Sequence, residues 1–341
     1  MESIAAYVPL DRRSALLEGK ELPERTWGTA LFADISGFTP LTEALARELG
    51  PQRGAEELTR HLNAVYDALI DDLSRYRGSV IGFSGDAITC WLDGDDGQRA
   101  VACALAMQAD MQQFAAVKIP SGKTISLGMK VALATGSVRR FLVGDPGIQR
   151  VEVLSGKTLE ILAEAEHQAQ KGEIVLSPPT LESLGECVQL AEYRVGHNGE
   201  TYGLAVGLNV EAPEDPWPPI PDGVLPEEIV RCWLLGPVYD RIQRGQGDFL
   251  AELRPAVGLF IRFLGIDFEA DEEAGEKLDM FIRHVQGIID RYEGFLIQLT
   301  VGDKGSYLYA AFGAPCAHED DAIRAVSAAV DIRAGVWNLD F

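Results

Sequence analysis

Apolar positions recur at helical spacing in two long stretches of the chain. Leu58, Leu62, Val65, Leu69 and Leu73 form one series, and Leu278, Ile282, Val285 and Ile289 form the other. Such spacing puts the apolar side chains on one face and predicts a surface helix laid on a core. Each series follows a β-branched and aromatic run, TALFADI in the first case and VGLFIRFL in the second, that reads as a buried strand. A glycine closes each series, Gly78 and Gly294, and is expected to end the helix as its C-terminal cap. Two short strands come next in both stretches: SVIGF and AITCWL about Ser84-Gly85-Asp86, then FLIQLTV and SYLYAAF about Gly302-Asp303. A further helix is predicted over 96–115 in the first block and from about Glu319 in the second.

The order strand, helix, strand, strand, helix is therefore written twice. It is the opening of a ferredoxin-like α+β unit, in which an antiparallel sheet buries one face under its helices. The first block continues through the strand-like segments ISLGMKVALAT, RRFLVG and VEVL to IVLSPP. The second stops at Phe341, inside or just after its second helix. The expected organisation is an N-terminal segment 1–27, a first domain 28–208, a connector and helix 209–253, and a second, truncated domain 254–341. Within the connector, EAPEDPWPPIPDGVLP (211–226) carries six prolines in sixteen residues, which bars a helix and reads as a semi-rigid link. Ile229, Cys232, Trp233, Val238 and Ile242 then give 226–252 a helical pattern.

Composition adds one constraint. Hydrophobic residues are 47% and charged residues 24% of 341, which is ordinary for a folded protein with length for two domains. The charge is unusual: 52 acidic residues against 30 basic give a net −22. Such a chain repels phosphate backbones and anionic bilayers, so nucleic acid and membrane surfaces are excluded as partners. A nucleotide remains compatible where a metal ion supplies local positive charge. The five cysteines contain no CxxC and the five histidines no HxxxH or HExxH, so neither a disulfide framework nor a zinc site is indicated. The N-terminus lacks the basic start and apolar centre of a signal peptide. No apolar run reaches the roughly 18 residues needed to span a bilayer. The expected location is the cytoplasm.

Chemistry concentrates around two carboxylates. SGKT occurs at 121–124 and 155–158, but Val117 and Val151 stand where a phosphate-wrapping P-loop needs glycine. Asp34 ends the first strand and Asp86 sits in the following hairpin turn, so neighbouring strands can bring them to one sheet end. Two convergent carboxylates suit Mg²⁺, which completes its shell with water and phosphate oxygens. Ile35-Ser36-Gly37-Phe38-Thr39 then leads into a helix, where main-chain N–H groups can hold phosphate. Helix capping by Asp34 and turn formation by Asp86 explain the same residues, and spacing alone leaves both readings open. Trp91, Trp233 and Phe83 read as core or interface residues rather than a base-stacking platform. The acidic runs 93–96 and 319–321 read as partners of helix N-termini, and the Glu-rich 160–173 as a solvated helix face.

FADISGFTPLTE (32–43), RGAEELTRHLN (53–63) and FSGDAI (83–88) resemble class III nucleotidyl cyclase catalytic domains. The nearest branch is the tandem, bicarbonate-responsive soluble adenylyl cyclases and their bacterial relatives, and GDFLAELRPAVGLF (247–260) resembles their entry into the second domain. The resemblance implies that Asp34 and Asp86 bind metal together with the Ile35 carbonyl. It implies that Ser36, Gly37, Phe38 and Thr39 hold the triphosphate. Two divalent ions, Mg²⁺ or Mn²⁺, are the implied cofactors. The implied reaction turns ATP into 3′,5′-cyclic AMP and pyrophosphate, with GTP as the other candidate substrate. The implied site lies between two cyclase domains packed head to tail, in one chain or in a dimer.

Departures from the family pattern shape the alternative. The second block has Arg262 where the first has Asp34, while Asp303 remains, so one metal site per domain pair is implied. The base-recognising lysine falls at Gln298, with Phe260 nearby. A phosphate-holding arginine falls at Gly128, with Lys130 and Arg139 as neighbouring cations. The lysine and arginine of bicarbonate-responsive relatives fall at Gly82 and Leu162. The transition-state asparagine and arginine fall beyond Phe341, so the chain alone is expected to turn over little. Relatives of this kind continue into an ATPase module and helical repeats. The competing reading is a degenerate cyclase-homology module that binds nucleotide or partner domains and regulates without turnover.

Overall fold

A computed structural model describes residues 4–221, 223–246, 254–301 and 305–335. Gly302-Asp303 and Phe341, singled out above, lie outside the described residues.

After helix α1 (Leu10–Leu17), the first unit opens with strand β1 (Arg25–Ser36), then helices α2 (Phe38–Leu49) and α3 (Pro51–Arg75). Strands β2 (Ser79–Ser84) and β3 (Ala87–Asp93) and helix α4 (Gln98–Asp110) complete the predicted order. A small pair, β4 (Val117–Lys118) with β5 (Thr124–Ile125), leads to the long β6 (Gly128–Val143). Then come β7 (Val151–Ser155), α5 (Lys157–Gln168), β8 (Ile174–Leu176), α6 (Pro178–Leu184), β9 (Val188–Val195) and β10 (Thr201–Leu208). The main sheet runs β2-β3-β1-β6-β8-β10-β9, with β7 paired to β6. Its ladders are antiparallel except β6 with β8.

Alternation along β1 decides which side of the sheet each residue serves. Leu31, Ala33 and Ile35 face the core built with α2, α3 and α4, where Leu41, Leu45, Val65, Leu69 and Leu73 are buried. Ala30 and Phe32 face the opposite cluster, covered by Leu162 and Ala165 of α5. Asp34 follows the parity of Phe32 and comes out at the strand's end.

The helix-ending glycines work differently from the expectation. Arg77 (φ 57) and Glu293 (φ 55), not Gly78 and Gly294, take the left-handed conformation. Gly78 N donates to Leu73 O at 2.8 Å and Arg77 N to Ser74 O at 3.2 Å, closing a Schellman cap. Gly294 to Ile289 (3.0 Å) and Glu293 to Asp290 (2.8 Å) repeat it. Glycine is needed here for space: a Cβ on Gly78 would lie 2.3 Å from Leu73 Cδ1, and one on Gly294 2.5 Å from Phe312 Cε1. Arg77 is held by Asp215 at 3.1 Å and lies 4.7 Å over the Trp217 ring. The proline-rich link is thereby pinned to the end of α3, and Trp217 Nε1 also donates to Gly78 O at 2.8 Å.

β6 is one strand where ISLGMKVALAT and RRFLVG suggested two. Gly136 stays inside the ladder opposite Gly28, because Thr158 Oγ1 of α5 comes within 2.5 Å of where its Cβ would be.

Beyond the link, Val230 of α7 (Glu227–Arg231), Leu234 of the following turn and Ile242 of α8 (Gly236–Gln243) pack on Val8 of the N-terminal segment. The second unit comprises β11 (Val257–Phe263), α9 (Ala274–Arg291), β12 (Phe295–Thr300), β13 (Ser306–Phe312) and α10 (Asp321–Gly335). Its antiparallel sheet is ordered β11-β13-β12, under a core of Leu278, Ile282, Val285 and Ile289. The β6–β7 hairpin of the first unit adds Phe141, Val143 and Val153 to that same core. Gln286, 1% exposed, locks the hairpin tip: its Oε1 accepts from Asp145 N at 2.9 Å and its Nε2 donates to Gln149 O at 2.9 Å. Arg139 also belongs to this joint, donating to Phe268 O at 3.1 Å and Asp271 O at 2.6 Å and pairing with Glu24.

Candidate active site

β1 runs between β3 and β6, and its register sets the site. Asp34 lies opposite Ala87 on one side and Lys130 on the other. Ala87 follows Asp86 directly, so the two aspartates are neighbours at one sheet end. A main-chain bond fixes them, Ile35 N donating to Asp86 O at 3.2 Å. The Ile35 side chain is fully buried, which leaves its main chain to serve the sheet end.

The next residues turn into α2. Gly37 has φ 107, and a Cβ there would lie 2.7 Å from Ser126 O, so glycine is required on both counts. Ser36 Oγ donates to Gly128 O at 3.2 Å. Phe38 is buried at the start of α2, while Ser36 and Thr39 are exposed. Its N-cap is Gly37, which has no side chain to cap the helix, and a helix start of this kind offers its first N–H groups to an anion.

Lys130 already places a cation here. Its Nζ lies 3.2 Å from Asp34 Oδ2 and also pairs with Glu166. Burial works against its charge, yet Glu166 and then Asp34 outweigh burial and hold its pKa above the ordinary lysine value. Asp34 thus already has a cation at its side. Among the described residues no group of three or more His, Cys, Asp and Glu is arranged to hold a metal. Two carboxylates and a carbonyl are oxygen donors that fit Mg²⁺ or Mn²⁺ when phosphate oxygens complete the shell.

Sequence reasoning missed Tyr66. Its ring meets Phe83 edge-on, centroids 5.4 Å apart, and its hydroxyl is buried without a hydrogen-bond partner among the described residues. Burial, then the charges of Asp86 and Asp34, push the phenol up to about 12. The available signal was a polar-tipped residue inside the apolar series of α3, one turn after Leu62. Phe83 itself is 52% exposed, a wall residue rather than core, whereas Trp91 is buried as expected.

The second sheet faces this end. Gln298 Nε2 donates to Ser84 Oγ at 3.0 Å and to Thr300 Oγ1 at 3.0 Å. Phe260, Tyr309 and Gln298 stand in register across β11, β13 and β12, with Phe260 stacked on Tyr309 at 4.7 Å. Beside them is a cavity of about 490 Å³ between the units, lined by Gly82, Phe83, Ser84, Leu159, Trp233 and Ile297 among others. Of the two positions matched to bicarbonate-binding cations, Gly82 lines this cavity and Leu162 is 3% exposed in the core. Arg139 is committed to the joint between the units, so the phosphate loop does not receive it.

Three comparisons bear on this arrangement. Residues 26–207 match the profile of the family described as adenylate and guanylate cyclase catalytic domain. Adenylate cyclase type 10 of Rattus norvegicus is 23% identical across 96% of this chain and 22% of its own length. Adenylate cyclase 1 of Rhizobium meliloti (strain 1021) is 23% identical across 61% of this chain and 31% of its own. Among solved structures, the adenylyl cyclase CyaB from P. aeruginosa has a TM-score of 0.45 and 23% identity, covering 53% of this chain and 94% of that one. The chain thus spans about a fifth of the length of the type 10 relative it matches. No helix among the described residues is long and apolar enough to cross a membrane. With the match running from the start of β1 to the end of β10, the chain belongs to the adenylate and guanylate cyclase catalytic domain family.

Proposed function

We propose that the chain converts ATP to 3′,5′-cyclic AMP and pyrophosphate at the junction of two cyclase domains, 28–208 and 254–341, paired within one chain. The observation that carries this reading is the register of β1, which sets Asp34 beside the Asp86 turn at the head of an uncapped helix. Asp34, Asp86 and the Ile35 carbonyl would hold the divalent ions. Bound there, such ions lower the pKa of the ribose 3′-hydroxyl and neutralise phosphate charge. The N–H groups of Phe38 and Thr39 bind phosphate oxygens, and Gly37 lets the chain approach them closely. Lys130, paired with Glu166 as well as with Asp34, would keep its charge beside the site if Asp34 held a metal ion. Gln298 offers donor and acceptor to the purine edge, and the Phe260–Tyr309 stack offers an apolar face.

A second reading has one observation behind it. Lys130 and Gln298 are both already partnered within the protein, which suits a module that binds nucleotide or partner domains and regulates without turnover. Two measurements separate the readings: Mn²⁺-dependent binding of a non-cyclisable ATP analogue, and cyclic AMP formed from ATP. The cyclase reading expects binding with little turnover by the 341-residue chain, cyclic AMP from a longer stretch of the native reading frame, and loss of binding in Asp34→Ala and Asp86→Ala without a lowered melting temperature. Binding with no cyclic AMP from either the 341-residue chain or the longer one selects the regulatory module. Unchanged affinity in both variants overturns the metal site altogether.

A further inference from the structure

One side chain of α3 is not accounted for by its packing. Tyr66 follows Leu62 by one turn and precedes Leu69 and Leu73, so its ring lies on the helix face turned to the core. Phenylalanine at this position would keep that packing and the edge-on contact with Phe83. Only the hydroxyl is unexplained. It is buried and has no hydrogen-bond partner among the described residues, and a native orphan of this kind calls for a reason.

Phe83 sets where the hydroxyl lies. It stands in β2 opposite Ile88 of β3, three residues before Asp86, so the Tyr66 ring is laid against the hairpin that carries Asp86. Gly85, at φ 66, takes the first place of the two-residue turn between Ser84 and Ala87 and leaves Asp86 at its tip. The main chain of Asp86 is fixed by Ile35 N, yet its carboxylate has no hydrogen bond or ion pair among the described residues. Asp34 differs, having Lys130 at 3.2 Å. The charges of Asp86 and then Asp34 add to burial in keeping the phenol protonated, and so a donor. A donor without an acceptor and a carboxylate without a donor thus share one hairpin.

A carboxylate that gives one oxygen to a divalent ion keeps lone pairs on the other, and such ligands are as a rule hydrogen-bonded from behind. We propose that Tyr66 is the positioning residue for Asp86: its hydroxyl donates to the carboxylate oxygen left over when Asp86 takes the ion, and so holds the other oxygen in place. This role rests on the cyclase reading above. It gives the hydroxyl opposite effects in the two states. In the free protein the orphan lowers stability, and in the filled site it tightens the metal.

Tyr66→Phe removes the hydroxyl alone, and two measurements on the full chain test it. Denaturant melts without ligand should show the unfolding constant of Tyr66→Phe lowered about fivefold, the scale of one relieved orphan. Calorimetric titration of Mn²⁺ at a saturating non-cyclisable ATP analogue should show the half-saturating Mn²⁺ concentration raised about tenfold, the scale of one hydrogen bond to a charged group. Binding of the analogue in excess chelator, through the Ser36–Thr39 loop alone, should be the same in both proteins. An unchanged Mn²⁺ titration overturns the role of Tyr66 and leaves the cyclase reading standing. An unchanged or lowered stability of the free variant also overturns it, since the hydroxyl would then be satisfied before any ion arrives. So does an equal loss with and without Mn²⁺, which would place the effect on the loop and not on Asp86. No Mn²⁺-dependent analogue binding by the wild-type protein would overturn the cyclase reading itself, and this role with it.

Discussion

Gln298 reaches from the second sheet to donate a 3.0 Å hydrogen bond to Ser84, two residues before Asp86. One amide thus joins the position expected to read the base with the turn expected to hold metal. Gln298→Ala removes the group proposed to read the base and leaves the phosphate loop intact. Affinity for the ATP analogue should fall by about three- to tenfold, one neutral hydrogen bond or slightly more. Affinity for inorganic pyrophosphate should not change. Calorimetry with both ligands checks this, and equal losses would mean that Gln298 only braces the two units.

Tyr66 makes a separate prediction about stability. Its hydroxyl is buried with no partner, and such a group costs about 1–3 kcal/mol of desolvation when left unmade. Tyr66→Phe keeps the edge-on contact with Phe83 and deletes the orphan. The variant should be more stable than wild type by about 1 kcal/mol in denaturant melts. A loss of stability would show that the hydroxyl has a partner in the free protein.

Asp72 carries a pH dependence. It is 1% exposed on α3, with Oδ1 3.2 Å from Arg75 and Oδ2 unpartnered. Burial, then the charge of Asp110, raises its pKa to about 6 from 3.8, while Arg75 pulls the other way. A carboxyl whose folded pKa lies above its unfolded value is easier to ionise in the unfolded chain. Its contribution to stability is therefore complete below about pH 4 and is lost as pH rises through about 6. Asp72→Asn should stabilise the protein by about 1–3 kcal/mol at pH 7.5, with the gain vanishing near pH 4. Melts across that range measure it, and a constant difference at every pH would refute the assignment.

Much of this molecule is readable along the chain because its information is local. The paired βαββα order follows from apolar period and turn residues, and both units show it. Asp95 accepts from Gly97, Arg99 and Ala100 N at the head of α4, the helix-terminal duty its acidic run suggested. The nearness of Asp34 and Asp86 was legible too, since a strand end and the next hairpin turn have few places to go.

What only the tertiary structure decided is which side chain occupies which shared volume. Gly78 and Gly294 read as the ends of their helices and are, yet the positive φ falls on Arg77 and Glu293, while Leu73 and Phe312 claim the space beside each glycine. The interval between ISLGMKVALAT and RRFLVG read as a gap between strands, yet the strand runs on through Gly136, where Thr158 takes the space of the missing Cβ. Gly128 leaves room on β6, and the stem of Lys171, 43 positions along the chain, takes it. Period and propensity act over a few residues. Excluded volume between distant segments does not, and it appears only once the sheet has set β1, β6 and α5 side by side.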